Sequence, residues 1–563
     1  MATTNNEKTY PIKSFDRGMQ RTTTKFLPEA NDLFFGKNID LQKVLGGITK
    51  ALGYTQKGVD INSSANILGA GALNTSAGVN KLLAFSGTDA YVFDGSSAWA
   101  AQSRTFTASQ SFEVENFLDM LFMVNGLTDA PQSYTGAAWS TTTNVTDMPK
   151  AKYIRETAGR LFLGNINVPI GGSFPSRVWY SNIPVNNAIT WDFESGTDLA
   201  TTASSGVVTS AAGLFKTRGI KVGDPFFIAE GSDIGQYTVL SIDSETQITL
   251  TVNLTATATN LDFWVGGNWF DVARDNSDVI MGLGRNSDRL LCFKRYSVHK
   301  FQKTNNDETD SLLPIRGIPG TTSHRSIANI KEWTFWVSDN GIWRFDGASG
   351  LLISYPVQEI WDGVTAANKL SAVSWTKDDR ILKTYVGNVS NSDTGLTISN
   401  CVICYDTYLD QFWVDSIPDI IRCAVVWIDS NVKKTFIFSS TGECEDTSTG
   451  DTFDGVNVDM DFETWPHFPI SPEVAVNITR IRLYGIKIQS AKPQYKLYYE
   501  DGKIDADWQN ADITDKTEHE IEIGMKLSEK KACGVSLRGT EDSSNIRPTI
   551  ERGVIYYSDA VLR

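Results

Sequence analysis

LLAFSGTDAYVFDGSSAW (residues 82–99) is the stretch that decides the fold, and MLFMVNGLTDAPQSYTGAAW (residues 120–139) repeats its layout. Each holds an apolar run, a polar turn, and a second run ending in aromatic-x-Gly and then Trp. Phe93, Gly95 and Trp99 in the first correspond to Tyr134, Gly136 and Trp139 in the second. The phrase returns in FWVSDNGIWRFDGASG (residues 335–350), with Phe345 and Gly347, and in GDTFDGVNV (residues 450–458), with Phe453 and Gly455. LLCFKRYSVHKF (residues 290–301) and CVICYDTYLDQFWV (residues 401–414) alternate similarly without the terminal Gly, which predicts paired strands. A period of about 40 to 50 residues with several short strands is the size of a propeller blade. One hairpin cannot cover both of its faces; four-stranded blades stacked radially do, with Asp-Gly and Asn-Gly turns closing the hairpins. Two β-sandwiches with coincidental spacing are the competing arrangement.

Working outward, the pattern predicts an all-β chain: a β-propeller with an inserted small β module and a C-terminal β-sandwich-like lobe. Residues 61–199 and 267–458 are expected to form blades, joined by an extended N-terminal segment, residues 1–60. Residues 200–266 break the period. There Tyr237, Val239 and Ile242 lead through a polar turn to Ile248, Leu250 and Val252, the alternation of a separate β domain. Trp191 before it and Trp269 after it are expected to be halves of one interrupted element. Residues 459–563 alternate with few glycines, at Val474, Val476 and Ile478, at Tyr495, Leu497 and Tyr499 before the turn Glu500-Asp501-Gly502, and at Ile521, Ile523, Met525 and Leu527. They are expected to form the sandwich-like lobe or propeller-closing strands. Only PVQEIWDGVTAANKL (residues 356–370) has the period of a short helix.

Bulk composition narrows the function. The 563 residues carry 51 Lys and Arg against 66 Asp and Glu, a net charge of −15. Phosphate-gripping proteins need a basic face, so this balance argues against nucleic-acid binding and suits a wall past which DNA slides. Six cysteines are too thinly spread for a disulfide framework. Cys401 and Cys404 form C-x-x-C, but residues three apart on a strand point to opposite faces, so buried thiols are expected rather than a metal site. The opening residues lack the pattern of a secretory signal, and no run approaches a membrane span; folding in a reducing cytoplasm is expected.

Catalytic signatures are missing. His299, His324, His467 and His519 have no metal-ligand spacing, and no nucleophile elbow or phosphate loop occurs. GLGRNSDR (residues 282–289) is expected to be a turn. Ser338 to Trp343 (SDNGIW) faintly resembles the Asp-box turn of sialidase-like propellers; a hairpin capped by Trp343 is expected instead. Trp99, Trp139, Trp343 and Trp413 recur at blade-like positions and are expected between blades rather than as sugar platforms. No catalytic, cofactor or metal residue is assigned, and an enzyme is not expected. The alternative function is a carbohydrate-binding or glycosidase-type propeller, since glycosidases need only a carboxylate pair that sequence cannot locate.

Residues 15–54, with Glu29, Ala30, Asn38, Asp40, Gly47, Gly53 and Tyr54, resemble the opening of podoviral tail nozzle proteins (tail tubular protein B), relatives of packaged-DNA stabilisation proteins. That family's basic pair before Gly-Tyr is reduced here to Lys50, followed by Ala51 and Leu52. FMVNGLTDAPQSYTGAAW and LLCFKRYSVHKF are similar to further family phrases, in the family's order. The resemblance implies a structural subunit of a virion tail, assembled in the bacterial cytoplasm. It implies a homo-oligomeric ring, six-fold in podoviral nozzles, below the portal and its adaptor or head-to-tail connector. Tail fibres or other tail proteins are further implied partners, and viral DNA passes through the lumen during ejection without sequence-specific binding. The resemblance brings no cofactor.

Overall fold

The computed structural model describes residues 7–15, 17–21, 32–44, 46–146, 148–168, 172–274, 277–302, 311–499, 503–505, 507–510, 512–516, 520–524, 531–543 and 546–559. Among these residues the fold is all-β. It comprises a propeller of seven four-stranded blades, a closed barrel inserted into blade three, and a β-sandwich joined to blade six. Blades one to six span residues 67–105, 113–140, 150–271, 282–315, 328–352 and 373–416. Blade seven combines Ile421–Asp429, Val432–Ser439 and Cys444–Asp446 with Thr55–Gln56 as its outer strand. Each innermost strand touches the next, and Ile421–Asp429 touches Ile67–Asn74, so the ring is closed.

Radial stacking explains the apolar runs. Met120–Val124 is buried along its whole length because neighbouring blades cover both faces. Phe85 stacks on Phe112 at 4.5 Å between blades one and two, and Trp99 meets Phe438 edge-on at 6.1 Å between blades one and seven. Phe293 and Trp336, 5.2 Å apart, join blades four and five. Each such pair adds about 0.5–1.5 kcal/mol beyond the area it buries.

The aromatic-x-Gly phrase is the turn between the third and fourth strands of blades one, two and five. Asp94 Oδ1 accepts from the N–H groups of Ser96, Ser97 and Ala98, and Asp346 Oδ1 from those of Ala348 and Ser349. The turn then needs Gly, because Gly95 and Gly347 lie at φ 94° and 99°, where a Cβ is disfavoured. GDTFDGVNV repeats the Phe-Asp-Gly letters but is corrected: Thr452–Phe453 and Val456–Asn457 form a separate two-stranded hairpin, its turn bonded from the Gly455 N–H to Thr452 Oγ1 at 3.0 Å and its Phe453 ring 4.9 Å from Tyr54. GLGRNSDR is likewise corrected, since Gly282–Asn286 is the inner strand of blade four and only the residues after it turn. At Gly282 a Cβ would lie 2.8 Å from Ile327 and 3.0 Å from His324, so close packing explains that glycine.

In blade three the corresponding turn holds the barrel. Its strands follow the order Phe193–Thr201, Val207–Ser210, Gln247–Leu250, Gly235–Ile242, Pro225–Ile228 and Ala258–Gly266. It therefore begins at Phe193 rather than at 200, with Phe193 paired to Gly266 at the neck. Trp269 pairs with Trp179 in the blade, whereas Trp191 is buried outside any strand, so the two tryptophans are not halves of one strand.

The sandwich draws on both ends of the chain. One sheet contains Ile39–Asp40, Ile48–Lys50, Thr549–Asp559, Val476–Ile486, Glu520–Gly524 and Asp512–Lys516, with Lys8–Ile12 also paired to Thr549–Asp559. The other runs through Leu33–Lys37, Met460–Thr464, Gly534–Glu541, Gln494–Tyr498 and Gln509–Asn510, and continues into blade six where Lys37 pairs with Val414. Ile481, Leu483, Ile523 and Ile555 face Phe462, Val535 and Leu537 in one core that extends into blades five and six. Residues 1–60 are thus more than an extended link, since those described supply strands to the sandwich and close the propeller; among the described residues the C-terminal lobe supplies none of the four strands of any blade. Val474 lies outside its strand and is exposed. Glu500, Asp501, Gly502, Met525 and Leu527 fall outside the described residues. The helical stretch forms two short helices, Gln358–Asp362 and Ala366–Leu370.

Where Thr55–Gln56 closes blade seven, Glu445 pairs with Gln56 and is fully buried, and both its carboxylate oxygens lack a partner among the described residues. Burial, reinforced by Asp454, Asp419 and Glu443, pushes its pKa up to about 9. The folded state therefore holds a proton that the unfolded chain releases near pH 4.5. Glu445's contribution is complete below that pH and is lost progressively as pH rises toward about 9. Glu445→Gln is expected to stabilise the protein at pH 7 by on the order of 2–3 kcal/mol, with the gain vanishing at pH 4. Chemical-denaturation midpoints of both proteins at the two pH values check this; an equal difference at both contradicts it.

Candidate functional site

The seven inner strands enclose an axial cavity of about 490 Å³. At the end where these strands begin, a single 3₁₀ turn, His324–Ser326, lays Arg325 across the axis from blade five. The guanidinium donates to the carbonyls of Leu68 (2.7 Å), Phe112 (3.1 Å) and Arg422 (2.9 Å) and to Ser111 Oγ (2.9 Å), and ion-pairs with Glu113 at 3.1 Å. One side chain thereby ties blade five to blades one, two and seven. His324 beside it accepts from the Leu283 N–H at 3.4 Å and lies 3.6 Å from Glu113. Burial pushes its imidazole down to about 4 although Glu113 pulls the other way, so it is neutral at pH 7.

The remaining charges on the wall are paired as well. Arg155 lies 3.3 Å from Glu115, and Arg285 lies 3.1 Å from Glu156. Burial raises the Glu115 pKa, with Arg155 opposing. A glycosidase pair flanks a scissile bond from two sides. Glu113 and Glu115 instead project from one strand, two residues apart, and each is held by an arginine.

The residues singled out in the sequence are not brought together. His299 contacts Ser297 at 3.3 Å, His467 is buried in the sandwich, and His519 lies outside the described residues. All six cysteines are buried and none is in a disulfide, and burial raises the thiols of Cys401 and Cys404. Cys404 lies 3.3 Å from Asp415, which is paired with Lys383 at 2.6 Å. Among the described residues, no group of three His, Cys, Asp or Glu side chains is placed to hold a metal. In the SDNGIW hairpin, Trp343 Nε1 donates to Asn340 at 2.9 Å, closing the turn. Trp139 lies 5.9 Å from Phe85 of the neighbouring blade, Trp413 is buried in the shared core, and Trp343 is partly buried between blades four and five. Sequence reasoning missed Arg325. SHRSIANI has no periodic signal, and its importance arises only when distant blades assemble.

No family model matches the chain, and no curated protein matches it. The chain is similar to three solved structures among others. One is a phage phi92 endosialidase (10% identity, 91% of this chain and 73% of that one, TM-score 0.19). Another is virginiamycin B lyase of Staphylococcus aureus (7%, 70% and 98%, TM-score 0.27). The third is a sialidase of Trypanosoma rangeli (7%, 98% and 96%, TM-score 0.25).

Proposed function

We propose that this chain is a structural, non-enzymatic subunit of a bacteriophage tail. It forms a nozzle- or hub-type ring below the portal-adaptor complex, retains packaged DNA and guides its ejection. The observation that carries this reading is the role of Asn38, Gly53 and Tyr54, residues through which the chain resembles tail nozzle proteins: they are joints, while Glu29 and Ala30 of the same phrase lie outside the described residues. Asn38 donates to the Asp459 carbonyl and accepts from the Ser416 N–H, both at 2.8 Å. Gly53 lies so close to Thr452 that a Cβ would overlap its carbonyl, and the Tyr54 hydroxyl donates to Asp419. Together they fasten sandwich, blade six and blade seven. In the second phrase Asn125 donates to Asp129 at 2.6 Å, and Asp129 accepts from Thr107 ahead of blade two. In the third, Lys294 donates to the Ala273 carbonyl at 2.8 Å.

The propeller axis has the volume of a small-ligand site and is crossed by Arg325, so a duplex does not pass along it. DNA runs instead through the lumen of a ring of copies, six by family resemblance. With a net charge of −15, acidic lumen walls deny phosphates adhesive contact. Adaptor proteins above and fibres or other tail proteins beside the ring are the partners, and the mature location is the virion. Negative-stain images of the purified chain test the reading. A six-fold toroid is expected; a monomer that hydrolyses an oligosaccharide and stops when Glu115 becomes Gln contradicts it.

A further inference from the structure

We propose that Lys377 is a nucleophilic amine, a modification site that takes a small aldehyde or ketone as an imine. The site belongs to the propeller and does not rest on the tail reading. Lys377 ends the inner strand of blade six and lines a cavity of about 290 Å³ between blades six and seven. Its side chain is partly buried, and its amine has neither a hydrogen bond nor an ion pair among the described residues. Unlike the orphaned buried atoms of the fold, its Nζ keeps contact with solvent. Burial lowers the pKa of Lys50, Lys294 and Lys369 as well, but each donates to a backbone carbonyl, of Ser543, Ala273 and Asp339 respectively. Nothing holds the proton of Lys377 in that way.

The charges that face it are engaged elsewhere. Trp375 pairs with Lys383 and Lys377 with Ile381, so Lys377 and Lys383 are diagonal neighbours on one face. Lys383 is kept cationic by Asp415 at 2.6 Å. Asp379 binds Lys433 at 2.8 Å, and Lys434 binds Asp429 and Asp446. Asp40 accepts from the N–H groups of Gln42 and Lys43, the Tyr54 hydroxyl donates to Asp419, and Asp378 is exposed at the turn. Burial and then the Lys383 charge push the Lys377 amine down from the usual lysine range, against the pull of Asp40, Asp378 and Asp415. More of it is therefore unprotonated at pH 7 than of an exposed lysine, and that is the state in which an amine attacks.

In the reaction the Nζ lone pair adds to the carbonyl carbon. Both amine hydrogens then leave with the carbonyl oxygen as water, and C=N replaces C=O. No oxidant, reductant or activated leaving group is needed, so a carbonyl compound is the class that a lone amine can take. The cavity lies just below the roughly 300–1,000 Å³ of small-ligand sites, which restricts that compound to a small one.

Labelling of the full chain with propanal and cyanoborohydride, read residue by residue by peptide mass spectrometry, tests the assignment. At pH 7 Lys377 is expected to be labelled about fivefold faster or more than Lys331, an exposed lysine in a turn of blade five. At pH 10 the ratio is expected to fall, because the exposed amine then loses its proton too. Lys383→Gln is expected to slow labelling at Lys377, since Asp415 is released to hold its proton. Labelling of Lys377 no faster than Lys331 at pH 7, a ratio as large at pH 10, or an unchanged rate in folded Lys383→Gln overturns the proposal. Should that variant fail to fold, the two pH values on the unaltered chain decide.

Discussion

Arg325→Ala is expected to lower the unfolding free energy by about 2–4 kcal/mol, somewhat less than the cost of breaking a fully buried ion pair because Glu113 keeps some exposure. Glu113 loses its partner, and the carbonyls of Leu68, Phe112 and Arg422 lose a donor at the point where blades one, two, five and seven converge. Arg325→Lys is expected to recover only part of the loss, because one ammonium cannot reproduce a planar fork that reaches several acceptors. Urea midpoints of the three proteins measure this. A change below about 1 kcal/mol for Arg325→Ala would mean that the axis is not held as described.

A chain lacking residues 1–56 is expected to have no cooperatively folded state at 37 °C. The deletion removes the outer strand of blade seven and all N-terminal strands of the sandwich. It also removes Phe15, Leu33, Ile39, Leu41 and Ile48, all buried in the core shared by sandwich and propeller. Losing one large buried aliphatic side chain costs about 2–5 kcal/mol, and the set together exceeds the roughly 5–15 kcal/mol by which domains are stable. Thermal melts followed by circular dichroism check the outcome. A truncated protein with a native spectrum and an unchanged midpoint would contradict closure by Thr55–Gln56.

What could be read in the sequence was what is chemically local. The Asp94-Gly95 and Asp346-Gly347 turns carry their hydrogen bonds within five residues, so their recurrence disclosed the blades before any fold was known. The same letters misled at Phe453-Asp454-Gly455, because Asp-Gly also serves a two-residue hairpin turn with both residues at positive φ, whether or not a blade surrounds it. The start of the barrel was hidden by the polar, irregular strand Phe193–Thr201, whose register shifts between Gly196 and Leu199 interrupt simple alternation. Closure of blade seven could not be read at all. Thr55–Gln56 is too short to show a period and pairs with Cys444–Asp446, a strand far away in sequence. Arg325 is a similar case, since its acceptors lie in segments far apart in sequence.

Cryo-electron microscopy of the virus particle that carries this chain tests the central claim most directly. The account predicts a ring of copies below the portal, with DNA density in the lumen between subunits and each propeller axis crossed by Arg325. Particles that lack the chain, or a DNA path through the propeller axis, would contradict it.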